Sequence, residues 1–426
     1  MQRKSFISTE LAKGWLSQFS CQDQTQAESL LNSIRHISVE KVTRELKFLI
    51  GEILQNQKGV VGLYAEREIR KTRGSVHKIF KETQTKVKRA IGSGPKAIDP
   101  IFRYKQDVGS EGVVANIITQ ICKTKRSRVI THPGPDKIRK QKVRHLIIVT
   151  DFIGSGTRIC DYLDAFWKVK SIRSWNSLKA VKFHVVAYSA TQIGSETVRR
   201  HKAKPEIYIG EPCPTIWTVF SDIKERKSII DLCNKYAPNK ETINDGFFSR
   251  PKYDPLGYRG IGALMSFSYG VPNNVPEILF RASPKWQPIF KSRVIDYSIT
   301  PLLERNSQLD IEKALIKLRE NNIQTFIKKN DLPDHSPRLI VFLAAANRYR
   351  FWNEISEQTG LTVSEIHELH QEAISNKFIN EKYILTDFGK QQLDFMRTQH
   401  GALAKQLDNN VPIYYVPKQL RALNGV

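Results

Sequence analysis

The stretch Leu146-Ile-Ile-Val-Thr-Asp-Phe-Ile-Gly-Ser-Gly-Thr157 gathers the residue types that handle a phosphate ester. A short continuous apolar run reads as a buried parallel strand, and this one delivers Asp151 to a loop of small residues. Gly154 and Gly156 let the backbone approach a ligand closely and adopt positive φ. Ser155 and Thr157 add hydroxyls, and a helix starting there presents free N–H groups at the positive end of its dipole. Each charge-assisted hydrogen bond to a phosphate contributes about 1.5–3 kcal/mol. Asp151 is placed to accept from ribose hydroxyls or to hold a divalent cation through water. Rival motifs fit worse. Ile159 stands where a dinucleotide fingerprint has its third glycine, and no Gly-Lys-Ser/Thr follows as in a Walker loop.

The elements around the loop must hold it at the end of a sheet. Phe183-His-Val-Val-Ala-Tyr188 and Ile207-Tyr-Ile209 are further apolar runs, and Ile159, Tyr162, Leu163 and Phe166 recur between them at helical spacing. Strand, helix, strand, helix, strand predicts an α/β, doubly wound sheet. Val113, Val114, Ile117, Ile118 and Ile121 form another helical stripe, and residues to about Gly59 read as helical. Residues 251–293, rich in Pro, Gly and Asn around Ala263-Leu-Met265, read as an edge element with long loops. From Leu339 onward three helices, a hairpin over Phe378–Leu385 and a last helix capped at Thr386-Asp387 suggest a winged helix.

The chain has 426 residues, 40% of them hydrophobic, enough for cores in two or three domains. Lys+Arg 67 against Asp+Glu 42 leaves a net charge of +25, too basic for a metabolic enzyme without a polyanionic partner. Residues 51–150 carry +14 of that excess. Val76, Ile79, Phe80, Val87, Ala90 and Ile91 predict a helix over 75–91, with Lys78, Lys81, Lys86, Lys88 and Arg89 on its other positions. A second cluster contains Arg126, Arg128, Arg139 and Lys140. Two such clusters point to a nucleic-acid backbone, bound with salt-dependent, sequence-blind affinity. Five cysteines without a C-x-x-C spacing indicate neither a disulfide framework nor a zinc ribbon, and no metal-ligand pattern stands out. The absence of a long apolar run or an apolar leader predicts a soluble, cytoplasmic protein that does not enter a membrane.

A winged helix commonly lays its third helix in the DNA major groove. Here Val363–Asn376 is expected to expose Glu365, Glu368 and Glu372 with His367 and His370 as surface residues, which favours docking to protein over DNA. Arg348, Arg350 and Lys382 remain as candidate backbone contacts. His367-Glu-Leu-His370 lacks the H-E-x-x-H zinc spacing. His132, His145 and His184 are expected to be satisfied core or surface histidines.

The strand, acidic position and small-residue loop resemble the PRPP-binding motif of type I phosphoribosyltransferases. The wording Asp151-Phe-Ile-Gly-Ser-Gly-Thr157 is similar to a divergent branch of that superfamily in bacterial conflict systems, the PRTase-CE type. Trp15-Leu-Ser-Gln-Phe19, Ala27-Glu-Ser-Leu-Leu31, Gly109-Ser-Glu-Gly112, Pro272-Asn-Asn-Val-Pro-Glu-Ile-Leu279 and Trp286-Gln-Pro-Ile-Phe290 extend the likeness over about residues 10–295. The resemblance implies a phosphoribosyltransferase-like domain over 101–300, after an N-terminal helical, basic region over 1–100. A linker over 301–335, the winged helix over 336–400 and a tail over 401–426 complete the expected order. It also implies a pyrophosphate loop at Asp107-Val-Gly-Ser-Glu-Gly112, with Ser110, Glu111 and Gly112 facing the diphosphate. The family's motif usually carries two adjacent acids, and here Thr150 takes the first place. Catalysis would then rest on Asp151 with Thr150, which lacks a charge for Mg2+ or a developing oxocarbenium ion. PRPP, NAD or another nucleotide remain the candidate substrates, or the site binds without turnover. The domain pair resembles the effectors of retron antiphage systems, toxins restrained by a reverse transcriptase and its RNA-linked DNA (msDNA). A ligand-responsive DNA-binding regulator is the remaining alternative.

Overall fold

The structure, a computed structural model, describes residues 6–98, 110–238, 242–244, 249–251, 254–303, 310–330, 332–333 and 335–398. It separates into two compact units, Met1–Ser307 and Gln308–Val426. The first is built on a five-stranded sheet in the order Glu206–Pro212, Lys182–Ala190, Val143–Ile153, Val60–Ala65, Val129–Thr131. Every neighbouring pair is parallel. The three runs read as buried strands are all strands of this sheet.

Alternation along the strands decides what covers each face. Leu146, Ile148, Phe183 and Val185 pack with Ile159, Tyr162, Leu163 and Phe166 of the helix Thr157–Trp167. The helices Val39–Asn56 and Ser110–Thr124 lie along other parts of the sheet and contact each other. Val39–Asn56 starts at Ser38, whose hydroxyl accepts from the Lys41 N–H at 3.2 Å and so satisfies an orphan donor.

The N-terminal region is not a separate layer. Val60–Ala65, inside the stretch assigned to a helical region, is an inner strand of the sheet. The short strand Arg35–Ile37 pairs in parallel with Met265–Phe267, so the expected edge element closes on the N-terminal segment. Trp15 donates its indole N–H to the Ile278 carbonyl at 3.3 Å and meets Trp286 edge-on at 6.3 Å.

The helix expected over 75–91 does not form. The segment makes short antiparallel pairs, Lys71–Thr72 with Ser75–Val76 and Lys81–Glu82 with Ala90–Ile91. Val76, Phe80 and Ala90 are buried, but Val87 is 75% exposed. Thr83 and Thr85 explain the turn: both hydroxyls donate to the Val87 carbonyl, and Thr83 Oγ1 accepts from the Arg89 N–H at 3.0 Å. Such side-chain bonds offer the backbone an alternative to a helix whose cations would repel one another.

In the second unit, residues 310–329 differ from the linker expected there. They form the helices Asp310–Lys317 and Asn321–Lys329, and Ala314, Leu315, Leu318, Ile323 and Phe326 join the unit's core. Ser336–Ala346, Trp352–Thr359, Val363–Ser375 and Asp387–Thr398 follow, as the winged-helix reading requires. The hairpin shrinks to one antiparallel bridge, Ile379 with Leu385. The tail 401–426 lies outside the described residues.

Candidate functional site

The loop 154–156 follows the strand Val143–Ile153 at its carboxyl end, where chain order across the sheet reverses. In open α/β sheets that crevice is where ligands bind. Gly156 has φ 77°, and a Cβ there would come 2.6 Å from the Gly194 carbonyl oxygen. Gly154 carries no positive φ but has no room either, since its Cβ would lie 2.0 Å from Asn274 Oδ1. Thr191 donates its hydroxyl to the Gly154 carbonyl, so the loop is clamped from both sides. Its carbonyl side is occupied and its amide side is open. Among the described residues nothing accepts from the N–H of Gly154, Ser155 or Gly156. The Thr157 N–H reaches only Ser155 Oγ at 3.4 Å. The Ser155 and Thr157 hydroxyls lie 3.0 Å apart.

Asp151 and Thr150 stand at the end of the same strand, both buried. The Tyr269 hydroxyl donates to Asp151 Oδ2 at 2.9 Å, and its ring stacks on Phe267 at 5.4 Å. The Thr150 hydroxyl lies 3.4 Å from both Asp151 Oδ1 and Glu66 Oε2 and donates its one proton to either. Glu66 follows the neighbouring strand Val60–Ala65 and is 6% exposed. The site therefore holds two carboxylates after all, the second contributed across the switch point and not by the preceding residue.

Arg158, second in the motif helix, binds Glu66 Oε1 at 2.9 Å and Glu111 Oε1 at 2.8 Å. Burial pushes the Glu66 carboxyl up to about 6, against the pull of the Arg158 guanidinium and with the push of Glu111 and Asp151. Burial also raises Asp151, opposed by the Tyr269 hydrogen bond and Arg158. The three carboxylates in turn hold the Arg158 guanidinium more firmly protonated.

Ser110, Glu111 and Gly112 open the helix Ser110–Thr124, and Glu111 reaches the site through Arg158. Asp107, Val108 and Gly109 of the expected pyrophosphate loop lie outside the described residues. Glu66, Arg158, Tyr269 and Asn274 were missed from the sequence. Glu66 left a signal: Val60-Val-Gly-Leu-Tyr-Ala-Glu66 repeats the pattern of an apolar run ending in an acid.

Of the basic residues, Lys81, Lys86, Arg89, Arg126 and Lys140 are exposed, Lys88 is half-buried, and Lys78 pairs with Glu82. Two make bonds within the fold, Arg128 half-buried and Arg139 still exposed. Arg128 donates to the carbonyls of Leu54 and Gln57, each at 2.6 Å, closing the end of the helix Val39–Asn56. Arg139 binds the Ala90 carbonyl at 2.8 Å and pairs with Asp136.

The second unit corrects further expectations. Glu365 is buried, completes a capping box with Thr362 and pairs with Arg338 at 3.2 Å. His370 is buried and stacks on Tyr383 at 3.6 Å, so it is no surface residue. Glu368 stays exposed, while His367 and Glu372 are half-buried. Arg348 pairs with Glu320 at 3.1 Å, and Arg350 donates to the Tyr383 carbonyl at 3.1 Å. Their guanidinium groups are engaged within the unit.

A parallel doubly wound sheet with a phosphate-type loop at its switch point, joined to a winged helix, defines a phosphoribosyltransferase-like protein of conflict-system type. Residues 12–292 match the family model PRTase-CE and residues 339–422 the model wHTH-PRTase associated, and the chain belongs to the PRTase-CE family. No curated protein and no solved structure matches it. Among the described residues no helix is long and apolar enough to cross a membrane, and no cluster of three or more His, Cys, Asp or Glu is arranged to hold a metal ion.

Proposed function

We propose that the protein is a retron-associated antiphage effector, a toxin whose site performs ribosyl or phosphoribosyl transfer on a nucleotide or nucleic-acid substrate. A reverse transcriptase with its msDNA restrains it in the cytoplasm. The observation that carries the reading is the row of unengaged N–H groups at 154–156 beside the buried Asp151 and Glu66. The loop N–H groups and the hydroxyls of Ser155 and Thr157 hold a 5′-phosphate, and Asp151 and Thr150 orient the ribose hydroxyls. Displacement at the anomeric carbon then breaks the bond to the leaving group while the acceptor's lone pair forms the new one. Ser110, Glu111 and Gly112 flank the leaving group. The Asp151 and Glu66 carboxylates would hold a Mg2+ ion, which would supply electrostatic stabilisation of the departing charge.

A second reading has a specific observation behind it. Arg158 already neutralises Glu66, and Thr150 brings no charge of its own, which suits a catalytically inactive nucleotide sensor. One experiment separates the two. Cells producing the chain without its restraining partner should lose viability and show altered pools of PRPP, NAD or nucleotides, whereas cells producing the D151A/G156V protein should grow normally. Equal toxicity of both proteins would end the catalytic reading. Nucleotide binding without any turnover by purified protein would leave the sensor.

A further inference from the structure

One register row crosses four strands of the sheet: Val129 lies opposite Val61, Val61 opposite His145, and His145 opposite Lys182. Three residues ahead of each stands a cation, in order Arg126, Lys58, Lys142 and Lys179. At the same edge the fifth strand adds Lys204, two residues ahead of Glu206, which lies opposite His184, so Lys204 stands level with Lys182 and outside the row of four. All five side chains are exposed, and none pairs with a described carboxylate. Neighbouring Lys182 and Lys202, by contrast, pair with Glu206 and Asp164 at 3.8 and 2.7 Å.

Backbone conformation decides how three of these positions can be tested. Lys142, Lys179 and Lys204 have φ of 49°, 55° and 47°. A side chain is strained there, and glycine is the usual occupant. Lys142 and Lys179 directly follow helix C-caps, Gln141 and Leu178. A helix C-terminus attracts a cation, but it does not require a left-handed one. Arg73, Arg259, Arg293, Arg319 and Lys377 share positive φ elsewhere, so the conformation does not itself mark the rim, but it makes these three lysines positions that accept glycine.

We propose that this rim, at the strand starts, docks the phosphate backbone of a nucleic acid that controls the protein and does not feed its site. Strands about 4.8 Å apart spread the four in-register cations over roughly 14 Å. A row of unpaired cations attracts a polyanion, and a nucleic-acid backbone offers one charge per about 3.4 Å of axis on each strand. The strand Val143–Ile153, 11 residues long, separates the rim from the loop by roughly 30 Å. The nucleotides seated on the rim are therefore not the ones whose ribose would sit at Asp151. The inference deepens the nucleic-acid partner of the proposed function and rests on it.

The test is fluorescence anisotropy of the full chain with a labelled single-stranded DNA of about 30 nucleotides, titrated between about 50 and 200 mM salt. In K142G/K179G/K204G the affinity should fall at least about tenfold, and the slope of log affinity against log salt should drop by about 2, near 0.7 per lost charge. Glycine suits all three backbone conformations, so the thermal midpoint should hold or rise, and misfolding would not explain the loss. Added AMP at constant ionic strength should leave the DNA bound, and its displacement would overturn the separation of rim and site. If K81A/K86A/K88A/R89A abolishes binding while the triple-glycine variant does not, the rim is the wrong face although the partner stands. Failure of the wild-type protein to bind would remove both. Equal binding of poly-glutamate, lost in the same variant, would overturn the nucleic-acid assignment.

Discussion

Thr150 removes the acid that the motif usually carries, and Glu66 restores a carboxylate at 3.4 Å from its hydroxyl. That replacement has a thermodynamic signature. The folded pKa of Glu66, about 6, lies above its ordinary 4.5. Burying the neutral acid is free of this penalty below about pH 4.5, and the folded state loses stability as pH rises through about 6. A displacement of roughly 1.5 units corresponds to about 2 kcal/mol. In E66Q this dependence should vanish. Urea titrations at about pH 4.5 and about pH 7 should show the wild type losing about 2 kcal/mol relative to E66Q over that interval. Parallel behaviour of the two proteins would show that Glu66 is already ionised throughout.

The loop's geometry is a property of the elements that clamp it. Asn274 lies against Gly154 from one side and donates to the Tyr258 carbonyl at 3.1 Å, while Thr191 holds the carbonyl from the other. G154A should therefore destabilise the first unit by about 1–3 kcal/mol, as overpacking does. Adding N274A should recover part of it. Denaturant melts of the single and double variants measure the difference, and a G154A protein as stable as the wild type would show that Asn274 yields without cost. The same scale explains the failed helix over 75–91. Its apolar spacing was real, but the threonine hydroxyls closed a turn, and three buried anchors sufficed to seat the hairpins.

At the scale of the molecule, the two units have separate cores. The second gathers residues 310–398 around Phe342, Ile355, Ile366 and Leu393, and it is tied by Glu320, which binds Arg348 at 3.1 Å and Arg397 at 2.7 Å. A protein truncated to residues 308–426 should fold alone with one cooperative transition. In it, E320A should cost about 2 kcal/mol, less than a fully buried pair because both arginines keep some solvent. Circular dichroism against temperature decides both points. A truncated protein without a transition would mean that the core requires the first unit.

The sequence alone determined the features whose residues are neighbours in the chain. The loop Gly154–Thr157, its strand and its helix are continuous text, and short-range sterics and hydrogen bonding suffice to shape them. Periodicity likewise revealed the parallel strands and the helices of the winged helix. What it did not reveal depends on contacts between distant residues. Glu66 meets Thr150 across 84 positions and Tyr269 meets Asp151 across 118, and only the strand order of the sheet brings them together. Burial also depends on packing, which drew Arg128, Glu365 and His370 inward from the surface that their polarity suggested. The line of cations at the strand starts came from register, because five positions scattered from Lys58 to Lys204 become adjacent only once parallel pairing is set.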